Sequence, residues 1–144
     1  MYLSGKSLRA CLVLVALCSL AGCNNSGMQP INGKVVWSDN DQPATELAGS
    51  LINFELKEKE TSSRGQIKPD GSFHLTTISE NDGAPLGVHT VLIIEIGRQP
   101  VPGSTMLAPG KIDTRYATPN TSDLKVTVER GMKQPVLKVD RFKN

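Results

Sequence analysis

The sequence has little of what several protein classes depend on. Its 144 residues include three cysteines, at positions 11, 18 and 23, so no disulfide can staple the rest of the chain. Aromatic residues make up 4%, and the formal net charge is +2, without a basic cluster that could neutralise several phosphates. We therefore expect neither a disulfide scaffold nor a nucleic-acid-binding protein.

A secretory signal peptide is predicted at residues 1–22. Lys6 and Arg9 supply a short basic region, and an apolar run follows at residues 10–20. That run is too short for a membrane-spanning helix, which needs roughly 20 residues, but it has the length of a signal-peptide hydrophobic region. The motif Leu20-Ala21-Gly22-Cys23 comes directly after it.

This motif resembles the lipobox of bacterial lipoproteins. The resemblance implies cleavage between Gly22 and Cys23 and lipidation of Cys23, and two or more acyl chains anchor a protein stably to a membrane. Asn24 stands where an Asp favours the inner membrane in enterobacteria, so the resemblance points to the outer membrane or cell surface. The alternative is an ordinary signal peptide that happens to contain Cys23.

Residues 23–30 are polar and rich in structure-breaking residues, and they are predicted to be a lipidated tether. Residues 31–144 are predicted to be one all-β domain, because alternation of apolar and polar residues dominates and no long helical periodicity occurs. The strands are expected at residues 31–37, 51–56, 66–68, 73–77, 88–96, 124–129 and 136–142. Seven short strands at this spacing indicate a β-sandwich.

Finer patterns add detail to this sandwich. Residues 88–96 are apolar on both faces, which is typical of a central strand covered on two sides. Asp70-Gly71 favours a tight turn, because glycine adopts positive φ at little cost. Residues 39–41 and 81–83 are interpreted as turns rather than calcium loops, since the first lacks the glycine and glutamate that an EF-hand requires.

Several motifs together resemble the carboxypeptidase regulatory-like domains of small bacterial lipoproteins. The resemblance covers residues 31–141 and implies a transthyretin-like, seven-stranded Greek-key sandwich in the cell envelope, with no particular activity. His89 departs from the pattern, which usually has an aromatic residue there. The motifs are Gly33-Lys34-Val35, Ile52-Asn53-Phe54, Asp70-Gly71-Ser72-Phe73, residues 83–91, Tyr116-Ala117-Thr118-Pro119 and residues 124–128.

Catalytic and metal-binding patterns are not found in the sequence. His74 and His89 are its two histidines, with His74 predicted to face outward and His89 inward. A zinc site needs three or four ligands close together. The nucleophile motif Gly-x-Ser-x-Gly is absent, and the chain ends without the Tyr-Arg-Gly-Ser of transthyretin-like hydroxyisourate hydrolases. We expect no metal, no cofactor and no enzymatic activity.

Two binding functions remain open. The first is a non-enzymatic, lipid-anchored envelope protein, structural or protein-interacting, whose loop from Gly97 to Lys111 contacts a partner. The alternative for Met106 and Leu107 in this loop is a solvent-exposed loop tip without a partner. The second is a carbohydrate-binding module that stacks envelope polysaccharide on Trp37 or Tyr116. Either aromatic residue has an alternative: Trp37 closes the core at the end of the first strand, and Tyr116 packs a loop against the sheet.

Overall fold

A computed structural model of the protein describes residues 27–143, and this part of the chain is all-β, as predicted. Its strands are β1 Met28–Gln29, β2 Asn32–Trp37, β3 Leu51–Leu56, β4 Thr61–Gln66, β5 Ser72–His74, β6 Ala84–Pro85, β7 Gly87–Ile94, β8 Lys125–Val128 and β9 Val136–Val139. Short 3-10 helices lie at Thr45–Leu47, Lys57–Lys59 and Thr114–Ala117. Within residues 27–143, no helix has the length and apolarity needed to cross a membrane.

The strands form two larger sheets and one small pair. The order is β5-β2-β9 in a three-stranded sheet and β4-β3-β7-β8 in a four-stranded sheet, while β1 pairs with β6. Neighbouring strands run antiparallel, except that β9 lies parallel to β2. Arg64 and Thr76 join the edges of the two larger sheets through reciprocal backbone hydrogen bonds of 2.8 Å.

Both larger sheets send side chains into one hydrophobic core. Ile52, Phe54 and Leu56 of β3 are at most 1% exposed, as their alternation predicts. The three-stranded sheet contributes Val35, Trp37, Phe73, Leu137 and Val139, and the four-stranded sheet contributes Ile52, Phe54, Val91, Ile93, Val126 and Val128. Burial of these side chains is the main force holding the two sheets together.

Some predicted strand boundaries are wrong. The strand expected at residues 66–68 is β4, and it lies at Thr61–Gln66. β4 is an edge strand of polar residues in which Ser63 alone is buried, so it carries no alternating apolar signal. The strand expected at residues 73–77 ends at His74, because the Thr77 N–H turns away to the Asp82 carboxylate at 2.7 Å.

The strand predicted at residues 88–96 corresponds to β7, and its second face is only partly covered. Leu92 is 3% exposed on the outer face, but Val88 is 57% exposed and Ile96, beyond the strand, is 50% exposed. The expectation of a strand covered on both sides is therefore wrong except near Leu92. The last two strands are also shorter than predicted, since β8 covers Lys125–Val128 and β9 covers Val136–Val139.

The predicted tether at residues 23–30 is too long. Met28 and Gln29 form β1, which pairs with Ala84 and Pro85 of β6. Gly83 sits against this pair with φ +88°, and a Cβ there would lie 1.9 Å from the Gln29 carbonyl oxygen. The ordered domain thus begins before residue 31, while the predicted signal peptide, Gly22 and Cys23 lie outside the described residues.

The direction of β7 defines two ends of the domain. At the start of β7, the Leu86 N–H donates to the Gly27 carbonyl at 3.1 Å, so β1 and β6 lie at this end, called the β1 end. The strand's 8 residues cover about 23 Å at about 3.3 Å per residue. Residues 95–111 follow the other end of β7, called the hairpin end.

Candidate functional site

Trp37, one of the two predicted sugar-stacking residues, is buried at the hairpin end. It is 1% exposed, and its indole Nε1 donates to Glu46 Oε2 at 2.8 Å. The guanidinium of Arg141 lies 4.0 Å from the ring centroid and donates from Nη1 to Glu46 Oε1 at 3.0 Å. Arg141 also donates from Nε to Asp39 Oδ2 at 3.2 Å. One face of the indole is therefore occupied by a side chain of the protein itself.

These contacts stabilise the ionised carboxylate of Glu46. Its pKa is lowered from 4.5 to about 2, chiefly by the hydrogen bond from Trp37 and then by hydrogen bonds from its own backbone and from Arg141. A carboxylate held this firmly in the charged form is a poor general acid or base near neutral pH. The cluster of Trp37, Glu46 and Arg141 is therefore suited to holding the C-terminal segment against the core.

Tyr116, the second candidate, is buried beside this cluster. It is 2% exposed, and its hydroxyl accepts hydrogen bonds from Arg115 Nη2 at 2.6 Å and from the Asp140 N–H at 3.2 Å. Arg115 also pairs with Asp140 and with Asp123, the latter at 3.4 Å, and Ser38 bonds to Asp140. Hydrogen bonds from Ser38 and Arg115 lower the pKa of Asp140.

Both rings thus occupy core positions, as the alternative interpretation of each predicts. Trp37 closes the end of β2, and Tyr116 lies in the 3-10 helix Thr114–Ala117 packed next to the sheet. Neither ring exposes a face on which a sugar could stack.

The two histidines lie in different sheets. His89 is fully buried, as predicted, and its Nε2 lies 2.7 Å from the Pro85 carbonyl oxygen, while Nδ1 has no hydrogen-bond partner. His74 lies half-buried on β5. Among residues 27–143, no three His, Cys, Asp or Glu side chains are grouped so that they could hold a metal ion.

The two acidic segments form turns, as predicted. In the first, the Trp37 N–H donates to the Gln42 carbonyl at 2.9 Å. In the second, Asp82 accepts hydrogen bonds from the N–H groups of Thr77, Ile78 and Ser79 at 2.7, 2.9 and 2.9 Å. Although burial opposes it, these bonds lower the pKa of Asp82. Both oxygens of its carboxylate are therefore engaged in stabilising the turn.

The loop from Gly97 to Lys111 contains a β-hairpin at residues 99–108. The Ala108 N–H donates to the Gln99 carbonyl, and the Val101 N–H donates to the Met106 carbonyl, at 2.9 and 2.8 Å. Glu95 Oε2 accepts from the Lys111 N–H at 2.8 Å and closes the base. What the sequence presents as an unstructured loop is thus a small projecting element with a fixed base.

The tip of this hairpin is apolar and open to solvent. Val101 is 39% exposed, Leu107 is 51% exposed and Met106 is 72% exposed. Burying such side chains against a partner is favourable by roughly 25 cal/mol per Å² of apolar surface. The hairpin is therefore the part of the predicted contact loop that leaves apolar side chains exposed.

The sequence carries no signal that marks Glu46, Arg141, Arg115 or Asp140 as parts of a cluster. Each lies in a polar segment without a recognisable motif, and their pairings connect distant positions, such as Glu46 and Arg141, which are 95 positions apart. No local pattern could have revealed them, because these ion pairs join segments that meet only in the folded chain.

Comparisons with known proteins do not assign the chain to a family. No protein-family model, curated protein or solved structure matches it.

Proposed function

We propose that the chain is a non-enzymatic, lipid-anchored protein of the cell envelope, whose β-domain presents the hairpin of residues 99–108 to a protein partner. The anchor is Cys23, after cleavage behind Gly22, and the location is the outer membrane or cell surface. The observation that carries the proposal is that the chain enters the domain at the β1 end, whereas the apolar hairpin projects from the opposite end of β7.

The geometry supports an outward-facing hairpin. Residues 24–27 separate Cys23 from β1, and four residues reach at most about 14 Å when extended. β7 alone covers about 23 Å between the two ends. A Cys23 held in the bilayer keeps the β1 end near the membrane surface and directs the hairpin away from it.

The sandwich assignment belongs to the same proposal. Three strands in one sheet and four in the other share a single core, which supports a seven-stranded, transthyretin-like Greek-key sandwich of the carboxypeptidase regulatory-like type. In that assignment β1 and β6 are an addition at the β1 end. The carbohydrate-binding alternative loses its two sequence candidates, since both rings are covered.

Site-specific photo-crosslinking in intact cells tests the proposal. A photoreactive amino acid replaces Met106 at the hairpin tip, and in a matched variant it replaces Ile78, an 83% exposed apolar residue in the loop just before the β1–β6 pair. We expect the Met106 variant to give a protein adduct of one discrete mass, and the Ile78 variant to crosslink to lipid or not at all.

Two further variants separate the parts of the proposal. Leu107→Ser should reduce the Met106 adduct several-fold while leaving expression unchanged, because it removes a neighbouring apolar contact. Cys23→Ser should release the chain from membranes into the soluble fraction. An Ile78 variant that gives the same protein adduct as Met106 would contradict the orientation, and the absence of any Met106 adduct would contradict the hairpin as a contact site.

A further inference from the structure

The outer face of the four-stranded sheet carries one continuous polar row. Ser62, Glu55, Thr90 and Lys125 stand directly opposite one another on β4, β3, β7 and β8. Residues paired in this way point to the same side of a sheet, and Phe54, which neighbours Glu55, faces the core. All four polar side chains therefore lie on the outer face of the sheet, within one line across the strands.

This row lies in a cleft. The cleft has a volume of about 630 Å³, and its lining includes the turn at Lys57 and Glu60 on one side and the loop at Pro119 and Asn120 on the other. Its size is within the range of about 300–1,000 Å³ that is usual for small-molecule sites. The residues lining the cleft include neither a residue of the hairpin nor Trp37 or Tyr116.

Within residues 27–143, a polar group of this cleft has no hydrogen-bond partner. Ser62 Oγ is buried and has no hydrogen-bond partner, which is unusual for a shielded hydroxyl. By contrast, Lys125 Nζ donates to Thr90 Oγ1 at 2.6 Å, so the other end of the row is ordered. The cleft thus combines a fixed donor with at least one unsatisfied hydroxyl.

Charge and position indicate the kind of ligand. Two carboxylates, Glu55 and Glu60, are balanced by two ammonium groups, Lys57 and Lys125, so the cleft as a whole favours neither anions nor cations. The strand backbones at its base are engaged in the sheet ladder, so recognition depends on side-chain donors and acceptors. Sugar hydroxyls both donate and accept, and the Pro119 ring offers an apolar surface to a sugar face.

We propose that this cleft binds a neutral oligosaccharide, with Glu55, Ser62, Lys125 and Asn120 as the hydrogen-bonding residues. Trp37 and Tyr116 take no part, and the absence of aromatic rings from the cleft lining predicts weak, millimolar binding. The site uses none of the residues of the hairpin, so sugar binding here can be tested independently of the protein contact proposed above.

Titration of the ¹⁵N-labelled full chain tests this site, in micelles of a detergent that has no sugar headgroup. The probes are maltohexaose, cellohexaose and chitohexaose as neutral glycans, oligogalacturonate as an anionic glycan, and a zwitterionic pentapeptide. We expect saturable amide shifts confined to residues lining the cleft with at least one neutral glycan, and a smaller response to the other two probe classes.

Glu55→Gln and Asn120→Ala should each weaken that binding by about tenfold, the loss expected when a hydrogen bond to a charged or well-placed group is removed. Glu58→Gln and Thr127→Ala are the matched controls, since both residues are exposed nearby but lie outside the cleft. The proposal is overturned if no neutral glycan binds, if only the anionic glycan or the peptide binds, or if the controls weaken binding as much as the cleft variants.

Discussion

The two ends of the domain are held together by different interactions. At the β1 end, the two residues of β1 pair with β6, and Gly83 allows the backbones to come close. At the hairpin end, Arg141 covers Trp37 and both contact Glu46, so the closure consists of side-chain hydrogen bonds and ion pairs.

The two ends should therefore differ in their tolerance of substitution. Backbone contacts at the β1 end leave no space for an added atom, and close-packed regions respond strongly to even one carbon. The ion pairs at the hairpin end are partly exposed, with side-chain exposures of 39% for Arg141 and 42% for Glu46, so water screens them. The β1 end should therefore be the more sensitive to substitution.

We expect the largest loss of folding stability from Gly83→Ala. The added Cβ would lie 1.9 Å from the Gln29 carbonyl oxygen at a φ of +88°, so both overlap and backbone strain destabilise the fold, by about 3 kcal/mol in all. Chemical denaturation of the full chain, followed by Trp37 emission, measures the loss.

Gly49→Ala is the matched control for this variant. Gly49 has φ +87° but nothing within 4 Å of the added Cβ, so it carries the backbone strain without the overlap and should cost about 1 kcal/mol. If the two variants lost the same free energy of unfolding, the close backbone contact at the β1 end would contribute nothing to stability.

A smaller effect, dependent on pH, is expected for Glu46→Gln. In the folded protein the pKa of Glu46 is about 2, against an ordinary value of 4.5. Its stabilising contribution is therefore fully present above about pH 4.5 and is lost as the pH falls towards 2. The variant should lose about 1 kcal/mol at neutral pH and show a flatter stability profile between these two values.

Denaturation at a series of pH values measures this profile, with Glu58→Gln as the control at an exposed position of the 3-10 helix Lys57–Lys59. The prediction fails if the wild type and Glu46→Gln lose stability in parallel as the solution is acidified. A red shift of Trp37 emission in Glu46→Gln would further indicate that the indole has lost its closed surroundings.

The smallest effect on stability is expected at the hairpin tip. Met106→Ser changes a side chain that is 72% exposed, so the free energy of unfolding should stay within about 0.5 kcal/mol of the wild-type value. Thermal unfolding checks this. A loss above about 1 kcal/mol would mean that the tip packs against the domain and is not free for a partner.

Local patterns predicted much of the fold. The inward faces of residues 51–56 and the inward His89 follow directly from alternation, because a strand buried on one side must place every second side chain in the core. The bounds of β4 could not be recognised, since an edge strand of polar residues needs no apolar face. The hairpin at residues 99–108 was predicted as a loop for the same reason: its exposed strands bury little.

The candidate sites were less predictable than the fold. Trp37 and Tyr116 were candidates because of their residue type, and the sequence left their exposure open. Arg141, which covers Trp37, comes from a distant part of the chain, and the tertiary structure brings the two into contact. Arg115 is the chain neighbour of Tyr116, which it covers, but it is held by Asp140, 25 positions further on. The polar row of Ser62, Glu55, Thr90 and Lys125 likewise exists only through the strand register.

The all-β character of the domain follows from the amino-acid sequence, and so does the choice of side chains that turn inward on each recognisable strand, because both depend on a period of two along the chain. Four features emerge only when the chain is folded: the parallel β2–β9 pairing, the covered ring of Trp37, the polar cleft, and the placement of β1 and the hairpin at opposite ends. These features depend on contacts between distant segments, and such contacts are selected by burial of the whole core and not by any local pattern.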